Sequence, residues 1–339
     1  MTPRERVIKT LNHEPVDRAP RDLWIDPSVE KGRADEVAEV AFRFPADIEK
    51  PDAKPALGAR AKGKPNEPGT HTDSWGCVWH VTEPDTAGEV REGVLGSDAE
   101  VAKYQPPWDL LEEARFTRIS RGCAATSRFV LAASETRPLD RLGFLRGREA
   151  AQADLAHGAR DIRGLLASLH DFFCKEMRQW AETDVDGVVF SDAWGAATGL
   201  TVAAKTFREL FKPLYRDYCD ILHEKDKFAF FHCAGNAKDI LGDLLDVGID
   251  ALHVHALPAD LERLTAKIAG RTTFWGGLDC PQILPGGRTA EVRKSAQRLR
   301  MALENGNGGV ICQCHWTANV AFQNVVALFD QWLRPKEEG

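Results

Sequence analysis

The sequence predicts a (β/α)8 TIM barrel with an N-terminal extension and a loop cover, and three observations lead there. From residue 127 onward, short apolar strands alternate with helical stretches, the pattern of a parallel sheet. Six strand candidates are clear, and two further stretches could bring the count to eight. The 339 residues suit one barrel with an added segment. An open doubly wound sheet is the alternative, but no Gly-rich phosphate fingerprint follows the first clear strand. Residues 1–339 therefore read as a single barrel domain, with 1–127 holding an N-terminal helix, an irregular cover and the first strands.

The elements follow in order. "PRERVIKTLNH" reads as a short helix, after which Pro15 and Pro20 break helix and a strand begins near Asp22 in "RDLWI". Residues 28 to 127 are irregular, and "ARAKGKPNEPGTHTDSWG" is polar and rich in Gly and Pro, a loop or cover. The 80 to 95 region is a further candidate for a barrel strand. "RFVLAAS" and "DGVVFSD" are strands separated by a helical stretch from Arg148 to Thr183. "FAFFHC", "ALHVHA", "TTFWGGL" and "GGVICQC" follow, each leading into a helix, at about 237–247, 258–268, 289–304 and 321–333.

Composition narrows the function. Hydrophobic residues are 43% and charged residues 28%, the balance of a folded globular chain. The net charge is -7 and the Lys and Arg residues form no stripe, which excludes nucleic acid as the expected partner. No apolar run reaches the roughly 18 to 20 residues a membrane span needs, and the charged start lacks an apolar signal region, so a cytoplasmic protein is expected. Eight cysteines in that compartment are expected to stay reduced.

In a (β/α)8 barrel the functional side chains come from the C-terminal ends of strands. In chain order those ends offer Ser191, Asp192 and Trp194, then His232 and Cys233, His253 and His255, Trp275, Asp279 and Cys280, and finally Cys312, Cys314, His315 and Trp316. The His and Cys residues suit a zinc ion held by three ligands from separate strands with one open position, or equally a set of buried core side chains. No CxxC pair is present at these ends, which excludes a zinc-finger knuckle there. Asp192 could cap the adjoining segment or serve as acid, base or support to a ligand. Trp75, Trp79, Trp194, Trp275 and Trp316 could wall a pocket for a flat ligand or methylated cation, or could simply pack the cover.

With these residues in view, the chain resembles the uroporphyrinogen decarboxylase superfamily, whose other large branch holds the cobalamin-related methyltransferases of the methylcobamide:coenzyme M type. The resemblance runs from "PRERVIKTLNHEPVDRAPRD" through "DSWGCVW", "GFLRGREAAQADL", "DGVVFSDAWGAATGL", "HCAGNAKDILGDLLDVGIDALHV" and "FWGGLDCPQILPGGRTAEVR" to "NVVALF". The true decarboxylase carries an arginine-rich loop after its first strand, whereas "DLWIDPSVEKGRADEVAEV" lacks that pattern, so the methyltransferase branch is the nearer one. That branch binds zinc through a His-x-Cys pair and a later Cys. The resemblance places His232 on the family histidine, puts Ala234 where the family has cysteine, and sets Cys314 on the later cysteine, ten residues before Asn324.

The resemblance thus implies zinc at His232, Cys233 and Cys314, with Cys233 supplying the missing thiolate if the strand end turns by one residue and Cys312 or His315 as the fallback. It implies a corrinoid carried by a separate small protein, and a homodimer as a common assembly. Asp192, His255 and Asp279 are the expected catalytic residues, and Trp194, Trp275 and Trp316 the expected cofactor-facing ones. Zinc would deprotonate a thiol or polarise another group during methyl transfer. The alternative is a metal-free lyase that decarboxylates a small acid with Asp192, His253 and His255, clamped by Arg137, Arg141 and Arg146 unless these arginines form a solvated helix face. A non-catalytic binding protein on the same fold is a third reading.

Overall fold

A computed structural model describes residues 1–51, 57–196, 198–254, 266–276, 283–304 and 306–334. The fold is a (β/α)8 TIM barrel of parallel strands. Its strands are β1 (Arg21–Ile25), β2 (Ile48–Glu49), β3 (Phe129–Ala133), β4 (Gly187–Asp192), β5 (Phe228–Cys233), β6 (Ala251–Val254), β7 (Thr273–Gly276) and β8 (Val310–Trp316). The chain divides into two compact units, one of residues 1–50, 126–131 and 249 onward, the other of 51–125 and 132–248.

In the first unit β8 lies between β1 and β7, with Trp24 opposite His315 and Trp275 opposite Ile311. β6 continues the run beside β7, Ala251 opposite Thr273. Because side chains alternate along a strand, this register assigns every residue to a face. Cys312, Cys314 and Trp316 share one face, and Trp316 marks it as helix-covered, since its ring packs on Phe322 of the Phe322–Leu333 helix and lies under the Arg33 guanidinium. Asp22, Trp24, Trp275, Gln313 and His315 share the opposite face, the barrel interior.

The start of this unit is fixed by charge. Buried Asp47, just before β2, accepts from the guanidinium groups of Arg6 (2.5 Å) and Arg18 (2.7 Å) and from the Arg21 amide (2.8 Å), tying the Pro3–Leu11 helix to β1. That helix opens with a capping box, in which Thr2 Oγ1 accepts the Glu5 amide and the Glu5 carboxylate accepts the Thr2 amide. Thr2→Ala is expected to lower stability by about 1 kcal/mol, readable as a shifted urea midpoint with unchanged slope.

In the second unit β4 and β5 pair in parallel, with His232 opposite Ser191 and Cys233 opposite Asp192. The expected Arg148 to Thr183 helix is two helices, Arg148–His157 and Arg160–Ala181, because Gly158 takes a left-handed conformation (φ 67°) that caps the first. The 80 to 95 region is not a barrel strand: Val78–Val81 pairs antiparallel with Gly69–Thr72 and with Glu89–Val90 in a separate small sheet. The missing barrel strand is Ile48–Glu49, two residues after a proline-containing turn, too short to show a period. The stretch expected to be irregular also holds the Ala34–Arg43, Asp98–Lys103 and Glu113–Cys123 helices. Among the described residues no helix is long and apolar enough to cross a membrane.

Candidate functional site

The interior face of the first unit builds a compact polar and aromatic cluster. Asp22 is 1% exposed and its Oδ2 accepts the indole N–H groups of Trp24 (2.8 Å) and Trp275 (2.9 Å). One buried carboxylate thereby sets the orientation of two indoles from strands far apart in sequence. Trp24 stacks on His253, ring centroids 5.6 Å apart, and meets the edges of Trp275 and His315. The Lys50 ammonium sits 4.3 Å from the centre of the Trp24 ring, a cation–π contact. Lys50 is solvent-accessible yet surrounded by protein, which draws its ammonium below the ordinary lysine range against the pull of Asp22.

His315 completes the cluster. Its Nε2 lies 2.9 Å from Asp26 Oδ1, and both side chains are about two-fifths exposed. Asp26 stands at the N-cap position of the Pro27–Gly32 helix, but its side chain caps no amide and orients His315 instead. A carboxylate-oriented, accessible imidazole is the arrangement of a general acid or base. Gln313, between Cys312 and Cys314 but on the interior face, is fully buried with neither amide atom hydrogen-bonded, so this face has polar capacity left unsatisfied by the described residues.

Asp192 has a different setting. At 1% exposure its carboxylate accepts the Leu139 (2.8 Å) and Asp140 (2.7 Å) amides at the start of the Pro138–Arg146 helix and the Tyr215 hydroxyl (2.5 Å). It therefore caps a helix from the end of β4, facing the helix layer. Burial, joined by the Asp140 charge, pushes its carboxyl up to about 7, while its three donors pull the other way.

This placement settles which way the neighbouring thiol points. Cys233 stands beside Asp192 in register and shares its face, and burial pushes its thiol up to about 12. His232, the adjacent residue, leaves the strand on the other face. The strand end does not turn by one residue: the Ala234 amide still donates to the Asp192 carbonyl, continuing the ladder. The turn follows at Gly235 (φ 77°), where a Cβ would come 1.9 Å from the Gly195 carbonyl oxygen. Cys314 and Cys312 likewise lie on the helix-covered face of β8 and are fully buried. The fallback His315 is engaged by Asp26. His232 and Cys233 thus leave one strand on opposite faces and do not close together on one zinc ion, and among the described residues no three His, Cys, Asp or Glu side chains gather as a metal-holding group.

Of the tryptophans expected to face a cofactor, Trp194 and Trp316 are buried in packing, their N–H groups donating to the Tyr215 hydroxyl and the Val320 carbonyl. Trp275 alone joins the interior cluster. His255 and Asp279 lie outside the described residues. Asp22, Trp24, Asp26, Lys50 and Gln313 are site residues that sequence reasoning missed. The available signal was the polar, aromatic alternation in "RDLWID", unusual for a barrel strand.

The uroporphyrinogen decarboxylase (URO-D) family profile matches residues 85–331, and the chain belongs to that family. No curated protein matches it in sequence. Among solved structures it is similar to a methyltransferase from Methanosarcina mazei, with 15% identity, 98% of each chain covered and a TM-score of 0.72, a likeness of fold. It is also similar to an endo-β-1,4-xylanase of glycoside hydrolase family 10 from Gloeophyllum trabeum, with 10% identity, 96% and 99% covered and a TM-score of 0.48.

Proposed function

We propose that the chain is a methyltransferase that takes a methyl group from a methylated small molecule and delivers it to a corrinoid carried by a separate small protein, without thiolate-bound zinc. The observation that carries this reading is the interior cluster around Trp24: aromatic walls held by Asp22, one ring already bearing an ammonium, and an oriented imidazole at the rim. Such walls suit a flat methoxylated body or a methylated ammonium. The fold likeness to a methyltransferase supports the same choice.

Thiol activation is the half-reaction in which zinc would hold the acceptor's thiolate, and Cys233, on the face of its strand opposite His232, is not placed to hold such a zinc beside it. Demethylation of a methoxylated donor needs a proton instead. When its methyl–oxygen bond breaks, the electron pair stays on the oxygen, which takes a proton from His315 held by Asp26, whereas a methylated ammonium leaves as the neutral amine and needs none. A reduced corrinoid supplies a strong methyl acceptor. The aromatic walls align the donor.

The test is to mix the full chain with reduced cobalamin and a panel of methoxybenzoates and methylammonium salts, following methylcobalamin by absorbance. Methylcobalamin formed faster than in protein-free controls is expected. A second reading, a metal-free carboxy-lyase, is favoured by membership of a family described as uroporphyrinogen decarboxylase. Release of CO2 from small acids with no methylcobalamin from any donor would install that reading in place of the first.

A further inference from the structure

The second unit holds a cavity of about 260 Å³, lined by Arg137 and Arg141, two of the arginines that the lyase reading takes as its clamp. Its floor comes from "HTDSWGCVW", a loop organised by Asp73. Asp73 Oδ1 accepts the Trp75 and Cys77 amides, and its Oδ2 accepts the Trp79 indole N–H (3.0 Å) and Arg141 Nη1 (3.2 Å). Arg141 is 3% exposed, sits over the Trp75 ring at 4.2 Å from its centre, and also reaches Glu135 at 3.4 Å. Its charge is thus matched by two carboxylates. Far from forming a solvated helix face, it is a wall of the cavity.

Arg137 is not matched. It follows the end of β3, lines the cavity, and its side chain has no hydrogen-bond or ion-pair partner among the described residues. A guanidinium keeps its charge at any working pH and presents a planar fork suited to a carboxylate. Around it the cavity is rich in donors without acceptors. The indole N–H of Trp75, a residue 2% exposed, is unbonded, as are the Nε–H groups of Arg137 and Arg141. Buried donors of this kind are ordinarily satisfied, and with them unmatched the uncompensated charge of Arg137 is what the cavity offers to a group bearing acceptor atoms. One wall is aromatic, beside polar lining from Asn66, Ser74 and Glu135: Trp79 lies nearly parallel to His71 (11° between planes) and packs on Phe144 at 5.1 Å.

We infer that this cavity is a subsite for a small carboxylate carried on a flat apolar body, its carboxylate paired with Arg137 and its body against Trp79 and Phe144. The inference stands whichever reaction the chain performs. Calorimetry on the full chain with benzoate, benzamide and inorganic phosphate tests it. Benzoate is expected to bind more tightly than either of the others, and Arg137→Gln to weaken it at least ~10-fold. Because the Arg137 side chain makes no hydrogen bond or ion pair with the described residues and glutamine keeps most of its packing stem, the variant should melt close to wild type, which separates lost binding from lost fold. Benzamide or phosphate binding as tightly as benzoate, no benzoate binding up to ~10 mM, or an unchanged Arg137→Gln would each overturn it.

Discussion

Asp192→Ala is expected to destabilise the chain by about 3 to 5 kcal/mol, since it strips the acceptor from three buried donors at roughly 1 to 3 kcal/mol each. Two are the first free amides of the Pro138–Arg146 helix and the third is the Tyr215 hydroxyl, all within 2.8 Å of the carboxylate. The carboxylate is 1% exposed, so bulk solvent does not substitute for it. Denaturant unfolding followed by far-UV circular dichroism measures the loss, and a change below about 1 kcal/mol would show that the cap is not a stabilising contact.

The same residue gives stability a pH dependence of defined sign. Its carboxyl is raised in the fold from 3.8 to about 7, so the folded state holds its proton over a range where the unfolded state has lost it. The stabilising contribution is complete below about pH 4 and is lost as pH rises towards 7. Asp192→Asn removes the titration and should flatten this part of the profile, at the cost of turning an amide group toward donors. A profile identical in wild type and Asp192→Asn would refute the assignment.

His315→Gln is expected to lower kcat for methyl transfer by ~100-fold or more, with KM nearly unchanged, because glutamine occupies similar space but cannot deliver a proton. Asp26→Asn should act in the same direction but less, since it loosens the imidazole without removing it. The methylcobalamin assay reads both. A kcat within a few-fold of wild type for His315→Gln would move proton delivery elsewhere, with Lys50 the next group to replace.

The barrel was legible where each strand is a short apolar run closed by turn residues, as in "GVVF", "FAFF" and "GGVIC". Ile48–Glu49 was not legible, because two residues cannot display a period of two. The candidate site was half legible. His253, Trp275 and His315 stand at strand ends and were named for that reason, whereas Asp22 and Trp24 acquire meaning only when β1 is laid beside β8, a pairing across almost the whole chain. Lys50 joins them through space alone. The thiols misled for a related reason: adjacency of His232 and Cys233 in sequence suggests a pair, while a regular strand sends neighbours to opposite faces.

Zinc content per chain, measured on gently purified wild type beside Cys233→Ser and Cys314→Ser, tests the central claim that the interior cluster works without thiolate-bound metal. The account predicts zinc well below one equivalent in wild type and no difference in either serine variant, because both thiols face the helix layer. Near-stoichiometric zinc in wild type, lost in both variants, would contradict it.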